Sequence, residues 1–247
     1  MKNVWLEGRD IEDEDFDVER YRATRRRAAE ANRKKLERDA RNSRIRAWEK
    51  TIPKRYRSYS YDNDEHWGNI AERIGSLGVQ EFGDYLDNPT CFAILRGDNG
   101  LGKTILSIMM ARELVGDEVV KSVEMVTGTD VLHEFSTYDA FANNGAVDPV
   151  KKYSTCDLLI LDDVAGDNEH MSATQQQKLS SVLEYRYRTE RLTIMTTNMA
   201  LRGSMGRAGS ARGVSGAGLN NYFTPRIWNR ITDDVTIVTF EGESMRG

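Results

Sequence analysis

Eight consecutive residues, Gly97-Asp98-Asn99-Gly100-Leu101-Gly102-Lys103-Thr104, carry the densest chemistry in this chain of 247 residues. They read G-x-x-x-x-G-K-T, the spacing of a phosphate-binding loop. Gly97, Gly100 and Gly102 let the backbone wrap closely around an anion, because a Cβ there would collide or forbid the required φ angles. The turned loop aims several N–H groups at phosphates, and the following helix adds the positive end of its dipole. Asn99, Leu101 and Ile105 join the glycines, Lys103 and Thr104 as candidate nucleotide-binding positions. Lys103 can reach β- and γ-phosphates, and the Thr104 hydroxyl can ligate Mg²⁺. The plainer alternative is a glycine turn before a surface helix. The complete match, between the apolar run Cys91–Leu95 and an apolar-periodic segment from Ile105, argues against it.

Leu158-Leu159-Ile160-Leu161-Asp162-Asp163 is the second signal, four apolar residues ending in two acids. Asp162 suits the Mg²⁺ shell, and Asp163 suits a group that orients or deprotonates an attacking water. Thr193-Ile194-Met195-Thr196-Thr197-Asn198 ends another strand-like run in short polar side chains that could reach a γ-phosphate. Arg226 and Arg230 lie four apart on an expected helix. A planar, permanently charged guanidinium suits a phosphate contact, supplied within the chain or by a neighbouring subunit. Arg246 follows the last strand and by itself says almost nothing.

The elements that must position these groups alternate from residue 90 onward. The spacing predicts strands at 91–95, 119–126, 157–162, 192–197 and 235–240, with helices at 103–115, 129–142, 172–190 and 222–231. That is an α/β fold, a parallel five-stranded sheet flanked by helices, with ligands at the carboxyl ends of the strands. Residues 69–88 read as a helix broken by Gly75, Gly78 and Gly83. Residues 203–218 hold six glycines with basic neighbours. They read either as a loop touching DNA or as a loose insertion.

Charge is uneven although the net value is only -4. Glu7–Glu19 holds eight acids against one base, and Arg20–Arg57 holds sixteen Lys/Arg against four acids. Residues 20–50 contain neither Pro nor Gly, and strong helix formers dominate. A long charged helix follows, ended at or before Ile52 by Pro53. It lacks an apolar stripe, so it either stays solvated or docks on a partner. The basic, aromatic connector 53–68 either stacks on single-stranded nucleic acid or packs over the core, and packing is favoured. Cys91 and Cys156 sit in or beside apolar runs and read as buried thiols of a reducing, cytoplasmic compartment. No apolar leader is visible, and no stretch approaches the ~18 apolar residues of a membrane span.

These motifs, in this order, resemble AAA+ ATPases of the DnaC/DnaI helicase-loader type over about residues 53–247. Ile52-Pro53-Lys54-Arg55-Tyr56 is similar to the Ile-Pro-x-Arg-aromatic entry of that family. The resemblance implies an AAA+ domain at 53–247 behind a partner-binding extension at 1–52. It implies ATP and Mg²⁺ at Lys103, Thr104 and Asp162, with Asp163 completing the acidic pair and Asn198 as sensor 1. Arg230 becomes an arginine finger, with Arg226 one turn before it, and Arg246 a sensor-2-like arginine. Three features depart from the family: Asp163 stands where Glu is commoner, Asn229 where Asp is common, and the glycine-rich loop is long. The resemblance further implies subunits assembling through their ATP sites, and an N-terminal segment gripping a replicative DnaB-type helicase. It also implies a helical insertion near Thr129–Tyr153 that engages single-stranded DNA, with Lys151 and Lys152 as phosphate contacts. The compact size suggests a phage or mobile-element version. An IstB-like transposition ATPase that partners a transposase shares every core motif. A small-molecule kinase and a plain DNA-binding scaffold fit the motif order less well.

Overall fold

Each of the five strands is a short run of residues that are mostly apolar, and all pair in parallel in the order β2-β3-β4-β1-β5. They are β1 (Phe92–Arg96), β2 (Val123–Thr127), β3 (Leu158–Asp162), β4 (Leu192–Thr197) and β5 (Val235–Thr239). The computed structural model describes residues 18–138, 147–166, 171–202 and 218–245. The helices are α1 (Val18–Glu49), α2 (Asp64–Asp87), α3 (Lys103–Gly116), α4 (Gly128–Thr137), α5 (Pro149–Thr155), α6 (Ala173–Arg188), α7 (Leu219–Tyr222) and α8 (Pro225–Ile231). A 3-10 turn covers Lys54–Tyr56.

The chain divides into two units, Met1–Ser43 and Arg44–Gly247. The described part of the first is helical throughout. Its ion pairs Arg33–Glu37 and Lys34–Glu30 join successive turns, each worth ~0.2–0.5 kcal/mol. Leu36 there is 70% exposed.

The second unit holds the sheet. Its central strands are buried at nearly every position because both faces are covered, and β1 and β3 are accordingly almost wholly apolar. Ala93 and Leu95 of β1 face one core with Ile160, Ile194 and side chains of α2 and α3. Phe92 and Ile94 face the other with Leu159, Leu161, Met195 and side chains of α4, α6 and α8. The segment that enters this unit is clamped by cations. Arg112 pairs with Glu49 at 2.5 Å and donates to Arg57 O, while Arg44 pairs with Glu118 at 2.7 Å. Tyr56, Tyr59 and Trp67 of the aromatic connector pack against the first core, the favoured reading.

Some boundaries differ from the sequence expectation. β2 begins at Val123 rather than 119. Glu118 turns the chain with φ 62°, and the Asp157 carboxylate captures the N–H groups of Lys121 and Ser122. Burial would raise the Asp157 pKa, but those N–H groups and Arg191 outweigh it and hold the carboxyl below its ordinary value. The helix expected at 129–142 closes at Thr137, and residues 139–142 lie outside the described residues. The helix expected at 222–231 begins only at Pro225, after the short α7 ends at Tyr222, because Pro225 forces Thr224 into an extended conformation and then opens α8. Of the three glycines expected to break 69–88, only Gly75 is non-helical, with φ 63°. Gly78 stays in α2, packed against Ile74 and Val238.

Arg186 of α6 is fully buried. Its guanidinium donates to Tyr153 O and Cys156 O, both at 2.8 Å, to Asp157 O at 3.2 Å, to Leu192 O and to Thr193 Oγ1. One side chain thereby ties α6 to the chain leading into β3 and β4. Burial pulls its pKa below the ordinary arginine value. Among the described residues no helix is long and apolar enough to cross a membrane.

Candidate nucleotide site

The sheet register brings the carboxyl ends of β1, β3 and β4 to one edge, pairing Leu95 with Thr196 and Leu161 with Met195. A cleft of about 590 Å³ opens there. Asn99, Gly100, Gly102, Lys103, Thr104, Ile105, Asp162, Asp163 and Asn198 line it, all expected from the sequence. Leu101 is 2% exposed and packs into the first core beneath the loop.

The glycine loop needs its glycines. Gly97, Gly100 and Gly102 have φ of 149°, 81° and 101°, values that L side chains resist. A Cβ on Gly97 would stand 2.6 Å from Phe240 O, a backbone atom that cannot swing aside. The C-terminal segment anchors the loop from the other side, with Met245 N donating to Gly100 O at 2.8 Å.

The polar groups form one chain of bonds. Lys103 Nζ donates to Gly97 O at 2.8 Å, Asp98 O at 2.7 Å and Asn198 Oδ1 at 2.6 Å. Asn198 Nδ2 in turn donates to Asp163 Oδ1 at 3.2 Å. Asp162 Oδ1 accepts from two hydroxyls, Thr104 at 2.8 Å and Thr196 at 2.7 Å. Thr196 Oγ1 also accepts the Asp163 N–H at 2.8 Å, fixing the backbone between the two acids. Asp163 itself has φ 54°, and Gly166 makes room beneath its carboxylate, where a Cβ would lie 2.8 Å from Oδ2. Lys103 and Asp163 are therefore joined through Asn198.

Thr196 was not singled out from the sequence, although it lies inside the quoted Thr-Thr-Asn run. Thr127, Arg55, Tyr56, Tyr59 and Met245 also line the cleft. The aromatic connector thus does two things at once, packing on the core and walling the cleft. Asp162 and Thr104 offer hard oxygen donors meeting at one point, which fits Mg²⁺.

The remaining expected residues stand elsewhere. Arg226 and Arg230 lie on α8 outside the cleft lining, both ion-paired with Glu184 of α6. Arg246 and residues 203–217 lie outside the described residues. Lys151 is exposed on α5. Lys152 pairs with Glu124 at 3.5 Å and stands 4.7 Å over the Tyr153 ring, so a phosphate contact would require it to leave that pair.

The family model described as IstB-like ATP binding protein matches residues 27–247. No curated protein matches the chain. Among solved structures the chain is similar to the DnaC helicase loader, at 18% identity over 68% of this chain and 90% of that one, with a TM-score of 0.52. It is similar to DnaI at 16% identity over 77% and 95%, with a TM-score of 0.55. It is also similar to domain III of the Thermotoga maritima replication initiation protein DnaA, at 17% identity over 67% and 62%, with a TM-score of 0.50. At such identities the likeness establishes the fold. With a glycine loop of phosphate-binding spacing, paired acids and Asn198 converging on one cleft of a parallel sheet, and the family model spanning nearly all of it, the chain belongs to the IstB-like ATP-binding family and is an AAA+ ATPase.

Proposed function

We propose that this ATPase is a helicase loader, which engages a replicative DnaB-type helicase through its N-terminal extension and delivers it to single-stranded DNA. ATP binding and hydrolysis switch assembly and release. One observation supports the assembly half most directly. Arg226 and Arg230 are absent from the lining of the chain's own cleft, so a role at a γ-phosphate requires a second subunit. Lys103 and the loop N–H groups bind the triphosphate, Asp163 and Asn198 orient the attacking water, and Arg230 stabilises charge from the adjacent protomer. Mg²⁺, held by Thr104 and Asp162, would neutralise charge on the phosphate oxygens. The basic, exposed helix at 22–40 supports the docking half, and Lys151 offers a contact to a DNA phosphate.

The family match itself favours a second reading, a transposition ATPase that partners a transposase. Pull-down of the full chain with ATP, against a purified DnaB-type helicase and against a purified transposase, separates the two. Retention of the helicase, with its transfer to a single-stranded oligonucleotide, is expected. Retention of the transposase alone would overturn the loader reading.

A further inference from the structure

The arginine pair is not free. Arg226 and Arg230 are one helical turn apart on α8, so both guanidiniums face the same way. On that face stands one carboxylate, Glu184 of α6. Arg226 Nη2 lies 3.2 Å from Glu184 Oε1, and Arg230 Nη1 contacts Glu184 Oε2. The exposures differ. The Arg226 side chain is 73% exposed, whereas Arg230 and Glu184 are 24% and 20% exposed. One helical turn beyond Glu184, the Tyr187 ring lies under the Arg230 guanidinium at 5.3 Å, and its hydroxyl donates to Asp233 Oδ2 at 2.8 Å. Two cations therefore share one acid, and the Arg230–Glu184 pair is the partly buried, aromatic-backed one. Solvent and salt screen that pair less than they screen Arg226.

This arrangement has a chemical consequence. A guanidinium offers a fixed fork of donors, and carboxylate and phosphate compete for that fork. While Glu184 holds both arginines, a neighbouring subunit's triphosphate must displace a carboxylate to gain them. We propose that Glu184 is a positioning residue that holds Arg226 and Arg230 in the single subunit and sets the protein concentration at which they transfer to a neighbour's nucleotide. This rests on the assembly reading above. Glu184 does not line the cleft, so it has no direct contact with the chain's own nucleotide.

The test is Glu184→Gln, which keeps the shape and removes the charge. ATP turnover per subunit is measured against protein concentration, beside single-subunit affinity for a fluorescent ATP analogue and a melting curve. Glu184→Gln should reach half-maximal turnover at a concentration roughly 1.5- to fivefold lower than the parent, the range expected from losing a modest competing ion pair. Nucleotide affinity should stay the same. Glu184→Ala provides the same readout if the glutamine variant fails to fold. A purely structural role would lower the melting temperature without moving the threshold. If the parent shows a threshold and both variants leave it in place or raise it, the proposal fails and the assembly reading stands. If the parent itself shows no concentration dependence, the assembly reading fails and this proposal falls with it.

Discussion

Thr196→Val should destabilise the site and the fold together, and its magnitude follows from two bonds. The Thr196 hydroxyl donates to Asp162 Oδ1 at 2.7 Å and accepts the Asp163 N–H at 2.8 Å, in a side chain 1% exposed. Valine has nearly the same shape, so packing is retained while both bonds are lost. A hydrogen bond to a charged group contributes about 1.5–3 kcal/mol, and a buried N–H left unpaired costs about 1–3 kcal/mol. Partial relaxation of the turn at Asp163 reduces the sum to about 2–5 kcal/mol. For a chain of this size that corresponds to a fall in Tm of roughly 5–15 °C. Thr196→Ser is the control, because it keeps the hydroxyl and removes one methyl, at a cost of about 1 kcal/mol. Urea unfolding of both variants without nucleotide gives the comparison. Turnover should also fall more in the valine variant, because the backbone bearing Asp163 loses its anchor, while nucleotide affinity, set by the loop, changes little. A valine variant within experimental error of the serine variant in both stability and turnover would refute the assignment of Thr196 as the group that fixes the backbone between the two acids.

Other perturbations reach other parts of the structure. Lys103→Ala should abolish ATP binding, read by isothermal titration, since it removes the ammonium and frees the carbonyls of Gly97 and Asp98 that it holds. Arg230→Ala should leave ATP affinity intact and lower turnover at high protein concentration, and unchanged turnover would remove the finger role. Arg186→Met should cost about 3–5 kcal/mol in unfolding experiments, because it strands several buried carbonyls at once. Burial pushes the Cys91 thiol up to about 11. A thiol raised in the folded state adds stability that is present below its unfolded pKa near 9 and lost as pH rises towards 11. At pH 8 its thiolate fraction should be about 100-fold lower than that of an ordinary thiol, so labelling should be slow until the protein unfolds.

The sequence disclosed those features whose cause is local. The phosphate loop was legible because its glycines, lysine and threonine are contiguous, and each answers to one peptide geometry. The strands were legible because a sheet covered on both faces demands nearly unbroken apolar runs, such as Phe92–Leu95 and Leu158–Leu161. Element ends were less legible. At β2 the boundary was decided by a carboxylate 35 residues away in sequence, Asp157 on Ser122 N–H.

What only the tertiary structure decided are the meetings of residues distant in the chain. The strand order β2-β3-β4-β1-β5 puts Thr196 beside Asp162, and Asn198 between Lys103 and Asp163. It also buries Arg186 among carbonyls that no spacing rule connects to it. Glu184 looks like any acid on a polar helix until α8 brings two arginines against it. Periodicity along a chain reports which face of an element is buried. Which side chains then share a hydrogen bond depends on how the layers pack, and that information is not contained in any one segment.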